Sequence, residues 1–213
     1  MSDNLKIVLA SASPRRTELL KSAGIPHTVM ATDADETPRG AAPDGVPYAA
    51  WYAAEASRMK ADAAADMLRV GIVGRIIVIS ADTVVSPDGR RIFGKPRDDS
   101  DARGMLRTLS GTVHSVVGGV TLTELRNGGE VRRICESCTP RVSVSRLTER
   151  QIDAYIASGE PFGKAGAYAI QGLASQFVLS VDGDYANVVG ISVSLVTRLL
   201  REHFSVEPTD FWR

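Results

Sequence analysis

The sequence lacks the features that mark several broad classes of protein. It has 213 residues, only two cysteines and 6% aromatic residues. Its apolar runs, such as residues 76–79, are far shorter than the roughly 20 residues that a membrane-spanning helix needs. The N-terminus has no apolar core followed by a small-residue cleavage site, which is the pattern of a signal peptide. We therefore expect a cytoplasmic protein with no membrane partner.

An excess of charge of one sign is also missing. The 25 lysines and arginines balance 25 aspartates and glutamates, so the formal net charge is zero. Proteins that bind nucleic acid usually carry a clear excess of positive charge, so we expect no nucleic-acid partner. Recognition of an anion would need a local cluster of basic residues.

Several common catalytic and cofactor motifs are absent. No G-x-G-x-x-G pattern occurs, which argues against a nicotinamide or flavin cofactor, and no G-x-S-x-G elbow of a serine hydrolase occurs. Ala165 follows Lys164 where a P-loop would need Ser or Thr. Cys135 and Cys138 form a C-x-x-C within a strand-like stretch, without two further zinc ligands nearby. We interpret them as structural thiols.

Apolar strand patterns alternate with helical patterns along the chain, which predicts an α/β layered fold. No repeat, linker or low-complexity tract interrupts them, so we interpret residues 1–213 as one domain of two lobes with a cleft. The predicted strands cover residues 6–10, 75–80, 112–125 and 130–144, with a short hairpin around residues 182–184. The predicted helices follow Ser13, cover residues 46–68 and 100–109, follow the capping-box pair Thr148 and Gln151, and cover residues 192–204.

The first candidate site is SASPRR at residues 11–16, where a strand leads into a helix. Ser13 has the character of an N-cap, and Pro14 suits the first helical position. The free N–H groups of a helix start attract anions, and Arg15 and Arg16 are side chains that grip phosphate oxygens. The segment predicts a phosphate or carboxylate site, although a capped helix with exposed arginines would have the same pattern.

Two further candidates follow the strand at residues 75–80. Asp82 and Thr83 come at its C-terminal end, where ligands bind in α/β sheets. An aspartate there can hold a metal or take a proton from water, or it can simply cap the next turn. Lys95 stands between Gly94 and Pro96, which would fix its direction, although such a lysine is often only a solvated surface group.

Carboxylates and an amide complete the set of candidates. Asp33, Asp35 and Glu36 crowd one loop, which suits a hard cation such as Mg²⁺ but is also typical of a solvated loop. Gln171 ends the glycine-rich segment GKAGAYAIQG at residues 163–172, where an amide could meet the edge of a base. We expect His114 to be a structural hydrogen-bonding residue. Together the residues have the chemistry for binding a polyphosphate ester, a metal and a base.

In this order, the segments resemble the Maf family of nucleoside triphosphate pyrophosphatases. The resemblance runs from residue 7 to about residue 200 and includes the lysine of the long helix, Lys60. The matching pieces are SASPRR at 11–16, DE at 35–36, ADTVV at 81–85, GKPRD at 94–98, SGTVH at 110–114, GKAGAYAIQG at 163–172 and NVVG at 187–190.

The resemblance implies the Maf/Ham1 (inosine-triphosphatase-like) fold, a mixed sheet with two lobes and a central cleft, and commonly a homodimer. It implies hydrolysis between the α- and β-phosphates with a divalent cation, Mg²⁺ or Mn²⁺. Asp82 matches the proton acceptor, and Glu36 with Asp82 matches the carboxylates at the metal. The residues that match the triphosphate-binding positions are Ser11, Arg16, Lys60 and Lys95.

The resemblance also implies a substrate. Arg15, Thr83 and Gln171 match the branch that acts on dTTP and UTP, whereas the tryptophan of the 7-methyl-GTP branch is missing. We therefore favour dTTP and UTP, with the same chemistry on a modified nucleotide, or a non-catalytic nucleotide-sensing regulator of cell division, as alternatives. Two departures, Glu55 for a usual arginine and Ser192 for a usual proline, concern surface charge and packing.

Overall fold

A computed structural model describes residues 5–32, 37–69 and 74–212 of the chain. The strands are β1 (Leu5–Ala10), β2 (Thr28–Val29), β3 (Arg75–Ser86), β4 (Val113–Arg126), β5 (Gly129–Cys138), β6 (Arg141–Val144) and β7 (Val178–Asp182). The helices are α1 (Pro14–Ser22), α2 (Tyr48–Leu68), α3 (Asp99–Leu109), α4 (Glu149–Ala157), α5 (Tyr185–Val189) and α6 (Val193–Phe204). Short 3-10 turns cover Ala165–Ala167, Leu173–Gln176 and Pro208–Phe211.

The described strands form one mixed seven-stranded sheet in the order β2-β1-β3-β4-β6-β7, and β5 pairs with β4 on the same side as β6. β1 is parallel to β2 and β3, whereas the other pairs are antiparallel. This mixed α/β architecture confirms the predicted fold class. The division of one domain into two lobes stays a prediction.

β3 is longer than the sequence pattern predicted. The apolar run ends at Ser80, but the strand continues to Ser86 because β4 pairs with it over its whole length. Asp82 and Thr83 therefore lie within a strand, opposite Gly119 and Gly118 of β4, rather than just beyond its end.

The apolar core consists mainly of two clusters. One packs α1 and α6 against β1, β3 and β4, with Leu20, Ile77 and Leu199 fully buried. The other packs α3 and α4 against the far part of the sheet, around Leu106 and Ile152. Amphipathic helices that bury one face against a sheet are typical of layered α/β folds. No described helix has the length and apolar character that crossing a membrane would require.

Local signals placed most helix starts correctly. Pro14 begins α1 after Ser13, and Ser192 caps α6. The predicted capping box of α4 is present, because the amide of Gln151 donates to Thr148 Oγ1 at 3.3 Å and Gln151 Oε1 accepts from the amide of Thr148 at 2.9 Å.

Two predictions about strands were wrong. Residues 130–144 are not one strand, because Pro140 lies between β5 and β6 and cannot donate to a ladder. The hairpin around residues 182–184 is absent from the described chain. β7 pairs with β6 instead, and Asp184 caps α5 by accepting from the amide of Asn187. The prediction failed because aspartate is common both in turns and at the start of helices.

Candidate active site

A cavity of about 750 Å³ opens where β1 ends and β3 continues. β1 stops at Ala10 opposite Ser80, whereas β3 runs on beside β4 to Ser86. Ligands bind beyond the carboxyl ends of parallel strands because the loops and helix starts meet there. The start of α1, the second half of β3, the segment 163–171 and the end of α5 line this cavity.

The start of α1 forms one wall of the cavity. Ser11 follows β1, and its Oγ accepts from the backbone amide of Ser13 at 3.2 Å. The amides of a first helical turn have no partner within the helix, and the helix dipole is positive at this end. This wall therefore suits an anion, as the sequence predicted.

Arg16 is buried behind this wall and is fixed by oxygen atoms. Its Nε donates to the carbonyl of Gly190 at 2.8 Å. Its terminal nitrogens donate to Ser11 Oγ at 3.1 Å and to Thr83 Oγ1 at 3.4 Å. These three contacts hold the guanidinium in one orientation.

The end of α5 holds three candidate residues together. The carbonyl of Gly190 accepts from Arg16 and also from Thr83 Oγ1 at 3.0 Å. The carbonyl of Val189 accepts from Nε of Arg15 at 3.3 Å. The last carbonyls of a helix lack partners within the helix and favour cations, so this helix end orients both arginines.

Asp184 and Asn187 fix α5 itself. Asp184 accepts from the amide of Asn187 at 3.0 Å and from Ser192 Oγ at 2.6 Å. Burial opposes ionisation of Asp184, but hydrogen bonds from Ser192 and Asn187 outweigh it and lower the pKa of this carboxyl. Nδ2 of Asn187 donates to the carbonyl of Val116 in β4 at 2.8 Å. α5 is thereby tied to both α6 and the sheet.

Lys60 and Asp82 form an ion pair at the other side of β3. Nζ of Lys60 lies 2.6 Å from Oδ1 of Asp82 and 3.4 Å from the carbonyl of Ala81. The side chains are 10% and 19% exposed, so the pair is shielded yet reaches the cavity. Oδ2 of Asp82 accepts no hydrogen bond from any residue that the structure describes. That oxygen can accept a proton.

Two adjacent glycines in β4 make this arrangement sterically feasible. A Cβ at Gly119 would lie 2.1 Å from the carbonyl oxygen of Ala53, so glycine lets α2 approach the sheet closely. A Cβ at Gly118 would lie 1.8 Å from Oδ1 of Asn187, so glycine admits α5 on the opposite face. Glycine in a strand commonly marks such a close approach.

A hairpin after β3 brings Lys95 to the cavity. Phe93 pairs with Val85, its amide donating to the carbonyl of Val85 at 2.7 Å. Gly94 accepts from the amide of Gly166 at 3.0 Å, which joins this hairpin to the glycine-rich segment. Lys95 itself is exposed and lines the cavity.

The glycine-rich segment 163–172 supplies another part of the cavity lining. Gly166 has a φ of 69°, and a Cβ there would lie 2.8 Å from side-chain atoms of Val85, so only glycine fits without strain. The backbone from Tyr168 to Ile170 is buried, whereas Gln171 is exposed at the rim. Gln171 is among the residues that line the cavity.

His114 and Tyr168 form a buried pair, and Tyr168 also lines the cavity. Nε2 of His114 lies 2.8 Å from the hydroxyl of Tyr168, which confirms the expected structural hydrogen bond. Burial lowers the pKa of His114 to about 4 and raises the pKa of Tyr168 well above its ordinary value. Both groups are therefore neutral at pH 7.

The two cysteines lie outside the cavity in β5. Both are free thiols. Cys135 and Cys138 are three positions apart in one strand, so their side chains point to opposite faces of the sheet and cannot bridge. Sγ of Cys135 donates to the carbonyl of Ala54 at 3.5 Å, and burial raises the pKa of Cys138. This placement supports the interpretation as structural thiols.

The cavity gathers every predicted site residue that the structure describes, although the role of each residue stays a prediction. These residues are Ser11, Arg15, Arg16, Lys60, Asp82, Thr83, Lys95 and Gln171. Glu36 lies outside the described residues, as do Asp33 and Asp35. Sequence reasoning missed Asp184 and the glycine pair of β4. Two consecutive glycines within a predicted strand were the signal that could have found the pair.

The lining residues fit a divalent cation that is shared with a substrate. Mg²⁺ is commonly held by one or two carboxylates together with substrate phosphates and water. Asp82 supplies the one carboxylate among the described lining residues. Across the described ranges, no three acidic, histidine or cysteine side chains gather into a group that could hold a metal ion alone.

Comparison with known proteins identifies the family. The model of the family described as Maf-like protein matches residues 6–203. The chain is 41% identical over 198 residues to the dTTP/UTP pyrophosphatase of Albidiferax ferrireducens, covering 92% of this chain and 95% of that protein. It is 42% identical over 197 residues to the dTTP/UTP pyrophosphatase of Pelotomaculum thermopropionicum, covering 92% and 96%. The chain belongs to the Maf family.

Among solved structures, the chain is similar to a HAM1 protein from Coxiella burnetii. The match covers 93% of this chain and 99% of that chain, with 14% sequence identity and a TM-score of 0.47. A likeness this distant adds nothing to the family assignment above.

Proposed function

We propose that this protein hydrolyses dTTP and UTP between the α- and β-phosphates, giving the nucleoside monophosphate and pyrophosphate. The observation that carries the proposal is the cavity that one carboxylate, Asp82, lines together with the start of α1 and with four basic side chains, Arg15, Arg16, Lys60 and Lys95. The names of the relatives, dTTP/UTP pyrophosphatases at about 40% identity over most of the chain, support it.

The first step is binding of the triphosphate. The amides at the start of α1, with Ser11 and Arg16, would receive phosphate oxygens, and Lys60 and Lys95 would add positive charge from two other elements. Arg16 is fixed before a ligand arrives, so binding requires little reorganisation at this position. The two lysines differ, because Lys60 is buried and Lys95 is exposed.

Asp82 would then act as the general base. The ammonium of Lys60 donates to Oδ1, which orients the carboxylate and leaves Oδ2 to receive a proton from the attacking water. The water oxygen forms a bond to the α-phosphorus while the bond from this phosphorus to the bridging oxygen breaks. The leaving pyrophosphate takes the electron pair, and the positive charges of the cavity stabilise it.

We further propose that Asp82, with Glu36, holds a divalent cation together with the phosphates. Mg²⁺ or Mn²⁺ supplies Lewis-acid polarisation of a phosphate oxygen when bound. Asp82 fits this second role because carboxylate oxygens are the ligands that such cations prefer.

Base recognition would take place at Arg15, Thr83 and Gln171. The amide of Gln171 can donate one hydrogen bond and accept another, which matches the edge of uracil or thymine. Arg15 and Thr83 share the end of α5 as their anchor, so these two residues would act as one unit.

We also propose that the protein is a cytoplasmic homodimer.

The substrate and the bond that breaks can be tested together. Purified protein is incubated with dTTP, UTP, CTP, GTP or 7-methyl-GTP and Mg²⁺ or Mn²⁺ in ¹⁸O-labelled water. We expect pyrophosphate release from dTTP and UTP, with the label in the monophosphate. Release of orthophosphate and a diphosphate would contradict the proposed chemistry, and preferential cleavage of another nucleotide would contradict the proposed base selection. Nucleotide binding without any cleavage would favour a sensor.

A further inference from the structure

The segment that carries Gln171 is held from behind by two side chains outside the cavity. Tyr155 lies on α4, and Glu160 follows shortly after the end of this helix. Neither is among the described residues that line the cavity. Nevertheless, their polar atoms contact the backbone on both sides of Gln171.

The carboxylate of Glu160 receives the amides that follow Gln171. Oε2 accepts from the amide of Leu173 at 2.9 Å, and Oε1 accepts from the amide of Ala174 at 3.3 Å. Oε1 also accepts from the hydroxyl of Tyr155 at 2.9 Å. Both oxygens of this carboxylate are therefore used to fix one short stretch of backbone.

Tyr155 extends the same contact to the residues before Gln171. Its hydroxyl accepts from the amide of Ala169 at 3.2 Å while it donates to Glu160. Its ring packs edge-on against Phe177, with centroids 5.3 Å apart. Packing thus fixes the phenol ring. Through Tyr155 and Glu160, hydrogen bonds connect the backbone before Gln171 to the backbone after it.

Gly172 adapts the backbone to this carboxylate. Its φ is 145°, and a Cβ at this position would lie 2.5 Å from Oε2 of Glu160. Glycine alone adopts this conformation readily and lets the carboxylate lie directly against the chain. Burial opposes ionisation of Glu160, but the amide of Leu173 and the hydroxyl of Tyr155 outweigh it and lower its pKa.

We propose that Glu160 and Tyr155 are positioning residues for base selection, because they set the backbone from which Gln171 reaches the base. The inference rests on the function proposed above, in which Gln171 reads the edge of a pyrimidine. Gln171 is exposed, so its direction depends on its backbone rather than on side-chain packing. A hydrogen-bonding group selects between bases only if it is held in position.

The test separates binding of the base from binding of the phosphates. Glu160→Gln keeps the size of the side chain but brings an NH₂ group toward amides that need an acceptor. We expect its Kd for non-hydrolysable α,β-methylene-UTP to rise up to about tenfold, because a displaced Gln171 would lose one hydrogen bond between uncharged groups to the base. We expect its KM for UTP to rise in parallel, while kcat and the Kd of inorganic triphosphate change less than about twofold.

Two further variants keep the test interpretable. Tyr155→Phe retains the ring and removes only the hydroxyl, so we expect a smaller change in the same direction. Glu149→Gln removes an exposed carboxylate of α4 that pairs with Arg107 and should change none of these quantities. Thermal unfolding of each variant reports whether it is folded.

The outcomes distinguish this inference from the proposed function. An unchanged Kd for α,β-methylene-UTP in folded Glu160→Gln and Tyr155→Phe would overturn the inference. Equal weakening of the nucleotide and of inorganic triphosphate would also overturn it, because the role would then be merely structural. Wild-type protein that binds α,β-methylene-UTP but cleaves no nucleotide would refute the proposed function and leave the binding test valid.

Discussion

The two ends of the cavity are built in different ways. At the end formed by α1, α2 and β3, Arg16, Lys60 and Asp82 are buried or shielded and already contact protein atoms. At the other end Gln171 is exposed, and the protein fixes its backbone rather than its side chain. The first arrangement suits the triphosphate, which has the same shape and charge in every nucleotide. The second arrangement suits the base, which differs from one nucleotide to the next.

This difference separates rate from selection. A preorganised cluster of charges stabilises the same phosphate chemistry for every nucleotide that enters. A side chain at the rim discriminates through a few hydrogen bonds, each with a small effect on affinity. Changes at the first end should therefore affect all nucleotides alike, whereas changes at the second end should alter the preference among them.

The largest effect is expected at Asp82. Asp82→Asn keeps the shape of the side chain but cannot take a proton from water, so we expect kcat for dTTP and UTP to fall about 10²- to 10⁴-fold. Steady-state pyrophosphate release measures it. Asp66→Asn, which changes an exposed carboxylate of α2, serves as the control. Turnover near the wild-type rate in Asp82→Asn would rule out this residue as the base.

The glycine pair of β4 is expected to show the next largest effect. Gly119→Ala places a Cβ 2.1 Å from the carbonyl oxygen of Ala53, so α2 must shift, at a cost of about 3 kcal/mol in the free energy of unfolding. Urea denaturation measures this loss. Gly104→Ala, in α3 with no atom within 4 Å of the added Cβ, should instead stabilise by about 0.5–1 kcal/mol. Equal effects of the two substitutions would contradict the close approach of α2.

A substitution of Arg16 can test whether catalysis needs a guanidinium held in one orientation or only a positive charge at this position. Lysine at this position keeps the charge but loses the fork that reaches Gly190, Ser11 and Thr83. We expect Arg16→Lys to lower kcat/KM about 50-fold for dTTP, UTP and CTP alike, as the loss of charge-assisted hydrogen bonds predicts. Arg15→Lys, which loses one contact to Val189 at a proposed base-recognition position, should lower kcat/KM less and unequally among the nucleotides. Equal losses in both variants would refute the special role of Arg16.

The lowered pKa of His114 predicts that the stability of the fold depends on pH. Its pKa is about 4 in the folded protein and about 6.5 in an unfolded chain. The contribution of neutral His114 to the free energy of unfolding is therefore present above pH 6.5 and is lost as the pH falls toward 4. About 2 kcal/mol of this contribution is lost between pH 7 and pH 5. His114→Gln should lose less stability than the wild type over this interval in urea denaturation. Parallel losses in the two proteins would show that His114 is not the titrating group.

The sequence predicted the charged end of the cavity better than the rest. Ser13 and Pro14 are local signals for a helix start, and α1 begins there as predicted. The extension of β3 through Asp82 was not predictable from local pattern, because polar residues interrupt the apolar run and pairing with β4 maintains the strand. Glu160 lies between Gly159 and Pro161 and has the pattern of a surface residue, since its partners are backbone amides brought close only by the fold.

The division between the two ends is tested most directly by binding without turnover. Titration calorimetry with Asp82→Asn and with the double variant Asp82→Asn/Gln171→Ala would give the Kd of UTP, CTP and inorganic triphosphate. We expect the single variant to prefer UTP to CTP, and the double variant to lose this preference while binding inorganic triphosphate equally well. A preference that survives without Gln171, or an affinity for inorganic triphosphate that falls together with that for UTP, would contradict the division.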